Sequence, residues 1–167
     1  MKKSLMIFIP IILLLLVVLL TYVLRQNNQI PLIDGLRFGM SPKQAAKVLG
    51  EPCTIEHDAG NTGKSVYAYQ SNVLGQAANV SCYFSNNRKL TEVSIRWENN
   101  SADLYEQAYT CLFSYYSNDK HFFVKEQDTV NTEEKHIALG LDDGTTGIFY
   151  NLYETSTSFS VSCIELS

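Results

Sequence analysis

Apolar residues run almost unbroken from Leu5 to Leu24, interrupted only by Pro10, Thr21 and Tyr22. Twenty helical residues span about 30 Å, the hydrocarbon thickness of a bilayer. The run ends in Thr21-Tyr22-Val23-Leu24-Arg25-Gln26, without the small-residue pattern of a cleavage site. It predicts an uncleaved membrane anchor over residues 1–25 rather than a cleaved signal. Lys2, Lys3 and the α-amino group outweigh Arg25, so the N-terminus is expected in the cytoplasm. The rest of the chain is then expected outside the cell membrane, crossed once, with a polar tether over residues 26–34.

Past the tether the apolar pattern breaks into short periodic stretches. Ser41 can cap a helix, Pro42 suits its first position, and Gln44 can complete a capping box. Ala45, Val48 and Leu49 form its apolar face, and Gly50 and Pro52 stop it. A short aromatic strand is expected over 66–70. Residues 78–84 alternate, with Val80, Cys82 and Phe84 on one side and Ser81 and Tyr83 on the other. After the turn Asn86-Asn87-Arg88, residues 90–97 alternate again, with Val93, Ile95 and Trp97 inward and Glu92, Ser94 and Arg96 outward. A second helix is expected over 102–116, with Leu104, Ala108, Cys111, Leu112 and Tyr115 on one face. Four more strands follow, over 122–126, 134–141, 147–153 and 158–166.

This order predicts an α+β fold of tandem helix-then-antiparallel-strands halves, roughly 35–99 and 100–167. The helices are expected on one face of an antiparallel sheet, with one transmembrane helix in front. The extracytoplasmic domain is then residues 35–167.

Charge narrows the partners. All 17 acidic residues of the 167-residue chain, but only 10 of its 13 basic ones, lie beyond Arg25. The balance of −7 there disfavours nucleic acid and anionic headgroups. Cys53, Cys82, Cys111 and Cys163 lack a C-x-x-C pair, which disfavours zinc. In an oxidising compartment four cysteines suggest two disulfides. Three pairings are open. If each helix packs on its own half, Cys53–Cys82 and Cys111–Cys163 are preferred; buried free thiols are the alternative.

Arg37-Phe38-Gly39-Met40-Ser41-Pro42, followed by Val48-Leu49-Gly50-Glu51-Pro52, resembles the opening of SmpA/OmlA-type outer-membrane assembly lipoproteins and related modules of the β-lactamase-inhibitor-protein fold. Tyr67-Ala68-Tyr69 and the Phe84–Leu90 hairpin are similar to the later features of that signature. The resemblance covers roughly residues 35–97. It implies a bacterial protein-binding scaffold of the cell envelope rather than an enzyme. A lipidation cysteine is missing, so the chain looks like a helix-anchored relative.

The candidate chemistry is thin. Ala59 to Ser65 is similar to a phosphate-binding loop, but Asp58 stands where a glycine is needed and a strand follows where a helix should. Glu56-His57-Asp58 offers a base or a ligand, yet neighbours on a strand point to opposite faces. An enzyme, or an enzyme inhibitor, working through the His57–Lys64 loop is the alternative reading. Asp142-Asp143-Gly144 reads as a turn, since the other oxygens of a calcium loop are missing. No catalytic residue, metal site or cofactor is expected. The ten tyrosines point elsewhere. Tyr83 and Arg96, joined by Phe149 and Tyr153, make a binding face for another envelope protein, because Tyr and Arg give large contact area with a polar handle.

Overall fold

A computed structural model describes residues 12–13, 15–16, 28–57, 59, 62–98, 102–127, 135–144, 147–155 and 157–166. Helix α1 (Pro42–Leu49) begins where Ser41 donates both its backbone N–H and its hydroxyl to Gln44 Oε1, at 2.9 and 3.0 Å. It ends at Gly50, whose φ of 91° suits only a residue without a Cβ. Eight strands follow: β1 (Thr54–Glu56), β2 (Ser65–Val73), β3 (Gln76–Phe84), β4 (Leu90–Trp97), β5 (Phe122–Gln127), β6 (Lys135–Asp142), β7 (Gly147–Glu154) and β8 (Phe159–Leu166). Helix α2 (Ala102–Tyr116) lies between β4 and β5 in the chain.

All eight strands form one antiparallel sheet in the order β1-β2-β3-β4-β8-β7-β6-β5. The expected tandem α+β halves are therefore corrected. The two four-strand meanders join through β4 and β8, from Glu92 opposite Ile164 to Trp97 opposite Phe159. Two short helices, of 8 and 15 residues, accompany this sheet. At 1.5 Å per residue they reach only about 12 and 22 Å, short of a bilayer. The anchor expected over 1–25 lies almost wholly outside the described residues. No helix among those described is long and apolar enough to cross a membrane. The transmembrane helix, and the single-pass cell-membrane location inferred from it, are thus not supported.

Strand alternation gives the sheet a buried face. One row crosses all eight strands: Ile55, Tyr67, Cys82, Val93, Cys163, Tyr150, Leu139 and Val124. Trp97 stacks on Phe159 with ring centroids 5.0 Å apart and donates Nε1–H to the Val73 carbonyl at 3.2 Å. From α2, Leu104, Ala108 and Leu112 are fully buried. The cover over this face is only partly helical. Ile30, Leu32 and Ile33 are also buried, with Leu36 and Phe38 just beyond them, so the stretch read as a polar tether supplies core. Tyr116 fastens it, donating to the Gln29 carbonyl at 3.2 Å while its oxygen lies 2.8 Å from the Tyr150 hydroxyl.

The disulfides are corrected too, since all four cysteines are free. β2 lies between β3, which carries Cys82, and β1, which Cys53 precedes. Neighbouring strands are about 4.8 Å apart, so a bridge across an intervening strand exceeds the roughly 7 Å limit between Cα atoms. Cys111 turns its thiol to the Pro31 carbonyl, 3.7 Å away, rather than to Cys163.

Candidate functional site

The opposite face of the sheet is the candidate site. Its middle row runs Ala68, Ser81, Ser94, Ser162, Asn151, Ala138 on the adjacent strands β2, β3, β4, β8, β7 and β6. All six are half-buried and small or short. The Ser81, Ser94, Ser162 and Asn151 side chains have no hydrogen-bonded partner among the described residues. Each can donate and accept.

Rows on one face of a sheet lie about 7 Å apart along the strands. On one side of the small row stand Tyr83, Glu92, Ile164, Phe149 and Phe123, with Gly140 between the two phenylalanines. On the other stand Gln70, Asn79, Arg96, Ser160, Tyr153 and His136. By residue size the small row is the floor of a trough running across the strands, with mostly larger side chains as its walls, broken by Gly140 and Ser160. Tyr83 and Phe149 fall in one wall, Arg96 and Tyr153 in the other. The structure brings the four sequence-identified residues to one face but not into one cluster.

Each wall has its own chemistry. Phe123 and Phe149 pair over Gly140 with centroids 5.5 Å apart, extending toward Ile164. Gly147, beside Phe149, leaves room for that ring; a Cβ there would strike it. At the far end of this wall Lys64 bridges Glu92 at 3.0 Å. Burial, and then the Glu92 charge, push the Tyr83 phenol above its ordinary value, with Lys64 opposing. In the second wall Arg96 is exposed and makes no ion pair with a described residue. Asn79 donates to Glu98 Oε1 at 3.2 Å, and the His136 ring meets Tyr153 edge-on at 6.0 Å.

Sequence reading missed Phe123, Ile164 and the floor. Their signal is a parity match across strands, legible only once the register between β4 and β8 is known.

The His57–Lys64 loop is built differently. Thr62 Oγ donates to the Ala59 carbonyl at 2.7 Å, and Ala59 N–H donates to the Lys64 carbonyl at 2.9 Å. Asp58, Gly60 and Asn61 lie outside the described residues. Lys64 is committed to Glu92, and strand β2 follows, so no helix N-terminus among the described residues follows the loop. His57 Nδ1 sits 3.2 Å from Ser65 Oγ. Among the described residues no carboxylate touches the other ring nitrogen, as a nucleophilic triad requires.

Thiol chemistry is also restrained. Burial pushes the Cys82 thiol up to about 12 and lifts Cys163 and Cys111 as well. A separate shallow hollow of about 600 Å³ lies on the helix side, lined by Leu74, Asp103, Glu106, Gln107, Thr110 and Cys111. It shares no residue with the trough. No protein family model, no curated protein and no solved structure matches the chain.

Proposed function

We propose that this chain is a non-catalytic binding module that receives another protein on the open face of its sheet. One observation carries the reading: a floor of Ser81, Ser94, Ser162 and Asn151, whose side chains bond no described residue, between walls bearing Tyr83, Phe149, Arg96 and Tyr153. Floor hydroxyls and the Asn151 amide suit the donors and acceptors of a polypeptide. The wall aromatics supply area at low entropic cost, and the exposed Arg96 guanidinium, which pairs with no described carboxylate, offers a fork for one. A hydrogen-bonded sheet underneath holds these groups in place before binding, which limits the ordering cost of association.

The test places a photo-crosslinking residue at Ser94 in the full chain, with Thr110 on the exposed side of α2 as the control. The captured partner is then purified and titrated by calorimetry. Tyr83→Ala with Arg96→Ala is expected to weaken binding about 100-fold or more, the loss of two strong anchors, with an unchanged melting profile. Equal capture from Thr110, or an undiminished affinity of the double variant, overturns the reading.

A further inference from the structure

Strand β5 is the end of the sheet, and the layer that covers the core face reaches it through Phe113 on Phe122 but leaves Val124 partly open. Helix α2 lies over β6 and β7. Val124 belongs to the core-face row, yet it is 39% exposed, and Phe113 of α2 is 40% exposed nearby. Phe113 packs edge-on against Phe122 with centroids 5.5 Å apart, and Tyr109 stacks on Phe113 at 5.7 Å. The open end of the hydrophobic layer is thus an aromatic and aliphatic strip alongside a backbone edge that no other described strand pairs.

The direction of that edge follows from one bond. Asp142 N–H donates to the His121 carbonyl at 3.1 Å, so His121 and Asp142 form a hydrogen-bonded pair. Bonded and non-bonded pairs alternate along an antiparallel ladder. Phe123 and Lys125 therefore bond inward to β6, and the backbone groups of Val124 point outward.

The strand is complementary to itself in one register. Antiparallel pairing with a second copy keeps faces matched only when the paired residue numbers share parity. A two-fold axis at Val124 sets Val124 opposite Val124, and Phe123 of each copy opposite Lys125 of the other. Each ammonium then lies beside an aromatic ring. A shift by one step one way sets Lys125 against Lys125, opposing like charges, and one step the other way stacks Phe123 on Phe123 but leaves each Lys125 facing His121 instead of an aromatic ring. The centred register also brings the two Phe113 strips to either side of the paired valines.

We propose that β5 is a homodimer edge, joining two copies into one continuous antiparallel sheet through a two-fold axis at Val124. The interface is isologous, so it closes at two copies instead of growing into a fibre. It shares Phe123 with the end of one trough wall but rests on the strand edge and the core-face strip, so the failure of either reading leaves the other standing.

The test uses the full chain with Cys53→Ser and Cys111→Ser, treated with a short bis-maleimide at low micromolar concentration. Val124→Cys is expected to give about tenfold more crosslinked dimer than Gln70→Cys, an exposed position on β2. Crosslinking through Lys125→Cys is expected to vanish when Val124→Pro is added. Proline is tolerated at an edge position whose N–H faces solvent, so the ladder to β6 survives while pairing between copies is blocked. Near-ultraviolet circular dichroism checks that the proline variant is folded. Equal crosslinking from Gln70→Cys, or dimer that persists with a folded Val124→Pro, overturns the proposal. If the proline variant unfolds, Val124→Lys replaces it, with like charges meeting on the axis and the same two outcomes.

Discussion

Phe123 and Phe149 lie on strands separated by β6, yet their rings meet with centroids 5.5 Å apart, because the residue between them is Gly140. A Cβ at Gly140 would run into the Ile148 carbonyl of the neighbouring strand. Gly140→Ala is expected to cost about 1–3 kcal/mol, the range of forced overpacking, and to separate the rings. A double-mutant cycle of Phe123→Ala and Phe149→Ala by urea denaturation is expected to show a coupling of about 0.5–1.5 kcal/mol. Additive losses would mean that the rings do not interact.

Tyr116 is the joint between the N-terminal segment and the sheet. Its oxygen accepts from the Tyr150 hydroxyl while its own proton goes to the Gln29 carbonyl. Tyr116→Phe removes the partner of two buried groups; Tyr150→Phe removes only a donor. The first is expected to cost about 1–3 kcal/mol and the second less. Hydrogen exchange at Ile30 and Leu36 should accelerate in Tyr116→Phe alone. Equal costs with unchanged exchange would show that the segment is held by apolar packing only.

Several individual elements are legible in the chain, but the single eight-stranded sheet they build is not. Strand Leu90–Trp97 and helix Ala102–Tyr116 fall where alternation and helical spacing place them. Their signals are local: one-residue alternation in the first, a spaced apolar face in the second. The β2–β3 hairpin is longer than its apolar pattern suggests, because Leu74 and Gly75 turn with φ of 53° and 78°, a pair usually signalled by Asn-Gly. Strand β1 is only three exposed residues and carries no periodicity. Ile30 to Phe38 has no period of either kind, so its burial cannot be read from pattern. The trough was half legible. Tyr83 and Arg96 follow from strand parity, but the partnership of β4 with β8 is a long-range pairing that no local signal encodes.

The cysteines separate cleanly by exposure. Cys53 is exposed, while Cys82 and Cys163 have no accessible surface. A maleimide probe on the native protein is expected to label Cys53 within minutes, with Cys82 and Cys163 reacting only as fast as the chain unfolds. Peptide mapping after timed quenching reads both. Prompt labelling of Cys82 would contradict the buried row across the sheet.

Burial of ionisable groups on the core face sets an alkaline limit. An ordinary thiol releases its proton near 9.0, and burial holds that of Cys82 to about 12. Between those values the unfolded chain loses a proton that the folded chain keeps. The stabilisation is therefore complete below about pH 9, declines as pH rises, and is exhausted above about pH 12. Burial raises Tyr116 and Tyr150 in the same direction, so they add to the decline above their ordinary value of 10.0. Each group contributes a slope of up to about 1.4 kcal/mol per pH unit. Urea midpoints at pH 8, 9.5 and 11 should fall progressively. In Cys82→Ala the loss between pH 9.5 and 11 should be smaller by about one proton's slope, whatever the variant's stability at pH 8. Identical slopes in the two proteins would mean that Cys82 already ionises in the folded state, which a fully buried thiol does not.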